Sequence, residues 1–111
     1  AVHITGDAYL KFKNLMKTSK GIGFEFNSFK PQPIFNLIQK TATEKGGTIK
    51  DEEMRKTFNM GWGFAVVVNK TDEDNTIDTL QKSGVEAEPI GKATNTQKIV
   101  AIYKCKKLEL L

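Results

Sequence analysis

The sequence predicts one mixed α/β domain, in which helices cover a mixed β-sheet. Three observations favour this fold class: helical and alternating apolar patterns both occur, they follow one another along the chain, and glycine or proline separates many of them. The 111 residues are 39% hydrophobic and 27% charged, which is typical of a single folded domain. The predicted order is β-α-β-α-α-β-α-β-β, with strands at 2–4, 21–26, 64–68, 85–94 and 98–104 and helices at 8–17, 33–42, 51–58 and 71–83.

The first strand and helix follow from their apolar residues. Valine and isoleucine flank His3 in a short strand, and a Thr-Gly-Asp turn leads to a helix on which Tyr9 and Phe12 share one face with residues 15 and 16. Asp7 is the expected N-cap of this helix. The same turn places backbone N–H groups where an anion could bind, although capping alone is the simpler interpretation.

The second strand and helix are predicted from alternation and from proline. Phe24 and Phe26 alternate with glycine and glutamate in a half-buried strand. Pro33 suits the first position of a helix, because its φ is fixed and its missing donor is not needed there. Apolar residues over Ile34–Ala42 recur at helical spacing until the glycine pair at 46 and 47 ends the segment.

The stretch Asp51–Asn69 is the predicted centre of the domain. Its three leading acidic residues suit the positive end of a helix dipole, and Thr48 resembles the start of a capping box. Met54 and Phe58 lie one turn apart and share an apolar face. A glycine-bearing turn and an apolar run then follow, as expected for a helix, a turn and a strand in succession.

Two apolar runs predict interior strands. Val66–Val68 and Val100–Ile102 are apolar on both alternating sets of residues, which is typical of strands covered on both faces. The helices at Tyr9–Met16 and Ile34–Ala42 are expected to cover them. Lys106–Leu111 is expected to form a loosely held tail.

The remaining boundaries depend on turn residues. Asp74 completes a Thr-x-x-Asp pattern that predicts a helix start, and Gly84 is expected to end that helix. Pro89 indicates an edge strand or the beginning of a strand, because proline cannot donate to a central ladder.

Composition and charge indicate which partners the chain is not expected to bind and which cellular compartment it fits. No apolar run reaches the length of a membrane span, so no membrane partner is expected. The net charge of +4 comes almost wholly from lysine, and Arg55 is the only arginine, so we predict no nucleic-acid partner. Cys105 is the only cysteine, which fits a reducing cytoplasm, and a single histidine predicts no zinc site. The leading alanine suggests a processed product, an excised domain or an ordered fragment.

Asn59, Gly61 and Gly63 are candidate binding residues, together with Thr5 and Gly6. Asn59 is polar beside a predicted buried strand and must find a partner, either backbone or ligand. Glycine at 61 and 63 lets a substrate or another backbone approach closely. The alternative is purely structural, since such turns are common and a G-x-G spacing is weak evidence. No catalytic residue and no metal ligand can be assigned.

Four stretches together resemble one enzyme family. Residues 53–63, E-M-R-K-T-F-N-M-G-W-G, look like the E-M-x-x-T-F-N-M-G-x-G signature of aminoimidazole ribonucleotide synthetase, also called phosphoribosylformylglycinamidine cyclo-ligase. Residues 3–6 resemble its H-[IL]-T-G-G-G turn, residues 33–39 its proline-led helix and residues 84–91 its G-x-x-A-x-x-I-G ending. The order and approximate gaps agree over nearly the whole chain. Asp7 departs from the pattern, since bacterial members tend to have glycine there, and its negative charge opposes phosphate binding.

The resemblance implies the later part of the C-terminal domain of such a synthetase, with the N-terminal ATP-binding domain absent from residues 1–111. The implied reaction is ATP-dependent ring closure of formylglycinamidine ribonucleotide to aminoimidazole ribonucleotide in cytoplasmic purine biosynthesis. The phosphorylated ribonucleotide substrate would meet Thr5, Gly6, Asn59, Gly61 and Gly63. ATP and Mg belong to the full-length enzyme, and this chain alone is expected to hold no cofactor and to be inactive. The other implied partners are the N-terminal domain and a second copy in a homodimer.

A second hypothesis comes from a different class of protein. It is a free-standing binding or regulatory module that keeps the fold without ligase activity. An ATP-binding domain encoded immediately upstream of Ala1 would favour the first hypothesis over the second. Selenophosphate synthetase and thiamine-phosphate kinase share the superfamily architecture but fit the F-N-M-G-x-G stretch less well.

Overall fold

The computed structural model describes residues 1–111. It contains six strands, four α-helices and two short 3₁₀ helices, which are joined by loops and turns. In chain order they are β1 (Val2–His3), a 3₁₀ helix (Ala8–Phe12), α1 (Lys13–Thr18), β2 (Gly23–Phe26), α2 (Pro33–Glu44), α3 (Asp51–Thr57), β3 (Phe64–Ala65), a 3₁₀ helix (Lys70–Asp72), α4 (Glu73–Lys82), β4 (Gly91–Thr94), β5 (Ile99–Tyr103) and β6 (Lys106–Glu109).

The strands form two separate sheets. The main sheet has the order β4-β2-β5-β6, and a two-stranded sheet joins β1 to β3. β2 and β5 run parallel, with Phe24 opposite Ile99, while the edge strands β4 and β6 are antiparallel to their neighbours. The predicted mixed α/β fold class is therefore confirmed, and the predicted order of elements holds with one further strand, β6, at its end.

An aromatic cluster fills the space between the first 3₁₀ helix and the inner face of the main sheet. Its members are all buried, and neighbouring ring centroids lie 4.7 to 5.9 Å apart. The closest pairs meet edge to face, the arrangement that the ring quadrupole favours. The cluster consists of Tyr9, Phe12, Phe24, Phe26 and Trp62. The predicted packing of Tyr9 and Phe12 against the sheet is confirmed.

The only arginine lies inside this core. Arg55 is 3% exposed, its guanidinium carbon lies 4.1 Å from the centroid of the Tyr103 ring, and its Nη1 donates to the carbonyl oxygen of Asp51 at 3.2 Å. Burial raises the pKa of the neighbouring Tyr9 hydroxyl, and the nearby Trp62 and Arg55 side chains partly offset that rise. Trp62 Nε1 makes no hydrogen bond. Arg55 therefore belongs to the core and not to an exposed basic surface.

Of the two predicted interior strands, one is confirmed and one is wrong. β5 lies between β2 and β6, and Val100 and Ala101 are buried as predicted, whereas Ile102 is 36% exposed. By contrast, Val66–Val68 lies outside both sheets, with its side chains 42 to 50% exposed. In the register of the small sheet, Val2 pairs with Ala65 and His3 with Phe64, so the ladder does not include the valines.

The prediction that α2 covers the sheet is also wrong. No residue of α2 is buried, and Ile34 and Leu37 are 53% and 58% exposed. The aromatic cluster and the first 3₁₀ helix already fill the inner face of the main sheet, which leaves no room for α2 there. Instead, α2 is attached beside α3, where Gln39 Nε2 donates to the Ile49 carbonyl at 2.7 Å and to Asp51 Oδ1 at 2.9 Å.

The predicted side-chain caps do not form. The N-cap position of α3 is Lys50, and Thr48 makes no capping bond. The Asp51 carboxylate accepts a hydrogen bond from Gln39 and so takes no part in a capping box. Asp7 does occupy the N-cap position of the first 3₁₀ helix, but its side chain makes no capping hydrogen bond.

The C-terminal segment is not the loosely held tail that was predicted. β6 pairs with β5 over four residue pairs, and Leu108 and Leu110 are each 4% exposed. The Leu110 N–H also donates to the Ile99 carbonyl at 2.8 Å. Alternating leucines in a strand reach the same face of the sheet, which explains why both enter the core.

The hairpin between β5 and β6 contains a strained turn. Its two central residues, Lys104 and Cys105, have φ of 49° and 61°, a left-handed conformation that such turns usually give to Asn-Gly. Replacing them together by Lys104→Asn and Cys105→Gly is expected to raise the free energy of unfolding by about 1 kcal/mol. Urea denaturation measures the change. Lys107→Asn, at an exposed strand position, is the control and is expected to give no gain.

Candidate functional site

Two glycine-bearing turns meet at the end of the small sheet. The ladder of β1 and β3 continues by one hydrogen bond, in which the Ile4 N–H donates to the Gly63 carbonyl at 2.8 Å. Thr5 and Gly6 follow directly and are exposed. The structure therefore brings the Thr5–Gly6 turn alongside Gly63.

Asn59 organises the second turn through its own backbone. Its Oδ1 accepts the Gly61 N–H at 2.9 Å, and its carbonyl accepts the Trp62 N–H at 3.3 Å. This is the Asx-turn arrangement in which an asparagine side chain replaces a backbone group. Asn59 therefore has the structural role that was the alternative to ligand binding, but only its Oδ1 takes part in a hydrogen bond. Asn59 is half-buried, and its Nδ2 donates to no group of the chain.

Gly61 is required by the fold itself. Its φ is +114°, and a Cβ at this position would lie 2.8 Å from Cγ of Gln32. Gln32 approaches because its N–H donates to the Met60 carbonyl at 3.3 Å. Gly61 therefore lies against Gln32 and the preceding turn, and no hydrogen bond joins it to Thr5 or Gly6.

Gly6 and Gly63 differ from Gly61 in this respect. Neither has a left-handed φ, and a Cβ added to either would meet no atom within 4 Å. The backbone N–H groups of Gly6, Asp7 and Gly63 also donate no hydrogen bond within the chain. Neither turn geometry nor crowding requires glycine at positions 6 and 63. The unpaired amides beside them are free to bind another molecule.

One acidic residue, Asp7, lies among these amides. Asp7 is exposed, and its carboxylate is not engaged in capping the helix that follows. It therefore competes with any anion for the free amides. His3 lies on β1 nearby, exposed, with its ring 6.5 Å from that of Phe64. No three His, Cys, Asp or Glu side chains lie close enough together to hold a metal ion.

Sequence reasoning missed one residue of this region. Gln32 lies just before the predicted helix at 33–42 and belonged to no predicted element, but it is the side chain that fills the space above Gly61. A glutamine before a proline carries no sequence signal for such a contact, because the contact joins residues about thirty positions apart. The left-handed φ of 58° at Met60 was likewise not predicted, since methionine seldom adopts it.

The fold and these turns describe a mixed α/β domain whose surface carries open glycines and free backbone amides. Residues 1–104 match the family described as AIR synthase related protein, C-terminal domain, and the chain belongs to that family. It is 36% identical over 97 residues to the phosphoribosylformylglycinamidine cyclo-ligase of Methanocaldococcus jannaschii and 37% identical over 91 residues to that of Bacillus licheniformis. The resemblance found in the motifs is confirmed.

The alignments also define how much of these relatives the chain represents. They cover 87% and 81% of this chain but only 26% and 25% of the two relatives, so the chain spans about a quarter of their length. β6 lies beyond the residues that match the family. None of the helices has the length and apolar character that crossing a bilayer requires.

Proposed function

We propose that this chain forms part of the C-terminal domain of a cytoplasmic phosphoribosylformylglycinamidine cyclo-ligase and contributes to its substrate cleft. The reaction is the ATP-dependent ring closure of formylglycinamidine ribonucleotide to aminoimidazole ribonucleotide. The observation that carries the proposal is the pair of open glycines, Gly6 and Gly63, in a chain whose relatives are cyclo-ligases. Their missing side chains leave space that nothing in this chain fills.

The residues act by positioning and not as nucleophiles. Backbone N–H groups in a turn attract anions, so the amides of Gly6, Asp7 and Gly63 bind the phosphate group of the ribonucleotide. The Asp7 carboxylate weakens this contact and favours an approach from the Gly63 side. Asn59 holds the Gly61 turn through Oδ1 and offers Nδ2 to a carbonyl oxygen of the substrate. Holding the reacting groups in place is a large part of catalysis in ring closures of this kind.

The nucleotide and metal belong elsewhere in the enzyme. The chain contains no grouped acidic, histidine or cysteine side chains suited to Mg²⁺. In this proposal ATP and Mg²⁺ are bound by the N-terminal ATP-binding domain, which is the partner of this chain. The 111-residue chain alone is expected to bind no ATP and to show no turnover.

A chimera tests the proposed function. The segment of the Bacillus licheniformis relative that aligns with this chain is replaced by this chain, and phosphate release is measured with formylglycinamidine ribonucleotide and Mg-ATP. The chimera is expected to turn over, whereas the isolated chain is not. A folded chimera without turnover would contradict the proposal and favour the non-catalytic binding module.

A substitution at Gly63 is expected to lower activity without lowering stability. In the chimera, Gly63→Ala is expected to lower kcat/KM by about tenfold, equivalent to about 1.4 kcal/mol, because its Cβ enters space reserved for substrate. Its melting temperature should not change, since that Cβ meets no atom of the chain. Gly61→Ala is the contrasting variant and is expected to cost about 1–3 kcal/mol of stability, because φ is left-handed there. Unchanged kinetics in Gly63→Ala would remove Gly63 from the site.

Asn59 allows the two ends of one side chain to be tested separately. Asn59→Ala removes the acceptor for Gly61 and is expected to cost about 1 kcal/mol of stability as well as turnover. Asn59→Asp keeps an oxygen acceptor for the turn but removes the Nδ2 donor. Its melting temperature is expected to stay near that of the parent chimera while kcat falls. If Asn59→Asp keeps full activity, Asn59 has only a structural role.

A further inference from the structure

Arg55 carries a buried positive charge that no acidic side chain of the chain neutralises. It is 3% exposed and is the only charged residue that the fold buries. The structure has three ion pairs, all formed by lysines, and none of them includes Arg55. Removing a cation from water without a counter-charge is costly, so buried charges in proteins are usually paired. The burial of Arg55 therefore calls for a negative partner.

The groups around Arg55 attract its guanidinium but carry no net charge. Its guanidinium carbon lies 4.1 Å from the centroid of the Tyr103 ring, and its Nη1 donates to the carbonyl oxygen of Asp51 at 3.2 Å. The Asp51 carboxylate instead accepts a hydrogen bond from Gln39. Tyr9 does not supply the charge either, because burial raises the pKa of its hydroxyl and keeps it a neutral phenol.

Two further donors lie beside the guanidinium, and together with it they form what we call the donor cluster: Arg55, Tyr9 and Trp62. The rings of Tyr9 and Trp62 have centroids 5.1 Å apart, and the Tyr9 hydroxyl lies near both the Trp62 N–H and the guanidinium. Trp62 Nε1 is buried and has no hydrogen-bond partner, and the guanidinium uses only Nη1. Buried donors are nearly always satisfied, by the chain or by a bound species. The donor cluster therefore lacks an acceptor.

We propose that the donor cluster binds one small monovalent anion, with chloride as the expected occupant. Arg55 supplies the positive charge, while the Trp62 N–H and the Tyr9 O–H donate neutral hydrogen bonds. The three residues are only 2 to 8% exposed, so the position suits a species close in size to a water molecule and excludes a phosphate group. Water would satisfy the donors but would leave the charge of Arg55 uncompensated.

The bound anion joins three parts of the fold beneath the second glycine-bearing turn. Arg55 belongs to α3, Tyr9 to the first 3₁₀ helix, and Trp62 lies between Gly61 and Gly63. A species that binds the folded chain and not the unfolded chain raises stability by mass action. The melting temperature of the chain is therefore expected to rise with chloride concentration, and this effect requires no ligase activity.

Bromide provides a direct probe, because a heavy halide quenches indole fluorescence on contact and Trp62 is the only tryptophan. The chain is titrated with sodium bromide at constant ionic strength, with sodium gluconate as the balancing salt, since gluconate is too large for the closed cluster. We expect quenching that saturates as one site fills and that chloride reverses by competition. Trp62 is 8% exposed, so collisional quenching by unbound bromide should be weak and should not saturate.

Conservative substitutions assign the quenching to the donor cluster. Arg55→Met removes the charge and is expected to weaken bromide binding at least about tenfold. Tyr9→Phe removes one hydroxyl but keeps the ring, and it should raise the half-saturating bromide concentration by about fivefold. Lys82→Met, which removes one positive charge from an exposed position, is the matched control and should bind like the parent chain. Quenching by uncharged acrylamide checks that Trp62 stays equally buried in every variant.

Each outcome bears directly on the anion site. Quenching that rises linearly without saturation, as expected if the donor cluster holds only water, would overturn the proposal. Saturation that chloride does not reverse, or that Arg55→Met leaves unchanged, would also overturn it. If Arg55→Met fails to fold, Tyr9→Phe decides the question, since an unchanged half-saturating concentration in that variant would place the bromide elsewhere.

Discussion

Deletion of residues 106–111 is expected to unfold the domain. The segment carries β6, which closes one edge of the main sheet, and two leucines that are each 4% exposed. Truncating one buried leucine costs about 2–5 kcal/mol, and small domains are stable by only about 5–15 kcal/mol. Losing both leucines and the ladder to β5 therefore removes a free energy comparable to the total stability of the domain. Far-ultraviolet circular dichroism and urea denaturation of the shortened chain measure the effect.

Single substitutions locate that stability within the segment. Leu108→Ala is expected to lower the free energy of unfolding by about 2–5 kcal/mol, because the leucine faces the core. Leu111→Ala serves as the control, since Leu111 is 45% exposed and its truncation should stay within about 0.5 kcal/mol. Equal, small effects of the two substitutions, together with a folded deletion variant, would show that β6 contributes little to stability.

Phe12→Ala is expected to have the largest effect of any single substitution considered. Phe12 is 3% exposed and contacts Phe24, Phe26 and Trp62 with centroid distances of 4.7, 4.9 and 5.9 Å. Truncating a buried phenylalanine costs about 3–5 kcal/mol, from lost burial and from the cavity that remains. Thermal unfolding followed by near-ultraviolet circular dichroism measures both stability and the aromatic packing.

Phe64→Ala is the matched control for that substitution. The residue type is the same, but Phe64 is 63% exposed and the expected change stays within about 0.5 kcal/mol. A loss in Phe64→Ala as large as that in Phe12→Ala would mean that Phe64 is buried in solution, for example by self-association. The pair therefore also reports on whether Phe64 is exposed in the free chain.

Several boundaries of the fold could be predicted because single residues carry their own conformational preference. Pro33 is the first residue of α2, as expected from its fixed φ. Gly46 and Gly84 follow the ends of α2 and α4 with φ of +88° and +82°. β4 begins two residues after Pro89 and lies at the sheet edge. The conformational preferences of proline and glycine act locally, so these element boundaries do not require a distant part of the chain.

The candidate site could be predicted in part for the same reason. The glycines and the asparagine were found from sequence because they depart from ordinary helix and strand composition. Which of these residues the fold requires and which it leaves free for a ligand could not be predicted. Only the folded chain shows that Gly61 is needed beside Gln32 whereas Gly63 faces open space.

The sequence alone determined the mixed α/β class, the turn positions and the family, since these follow from local preference and from motifs in a given order. The tertiary structure alone decided which apolar runs are buried. Val66–Val68 is the stronger strand pattern, yet it is exposed, whereas the lysine-rich segment with Leu108 and Leu110 enters the core. Burial needs a partner element as well as apolar side chains. β5 pairs with β6 over four residue pairs, whereas the ladder between β1 and β3 includes only Phe64 and Ala65 of the apolar run.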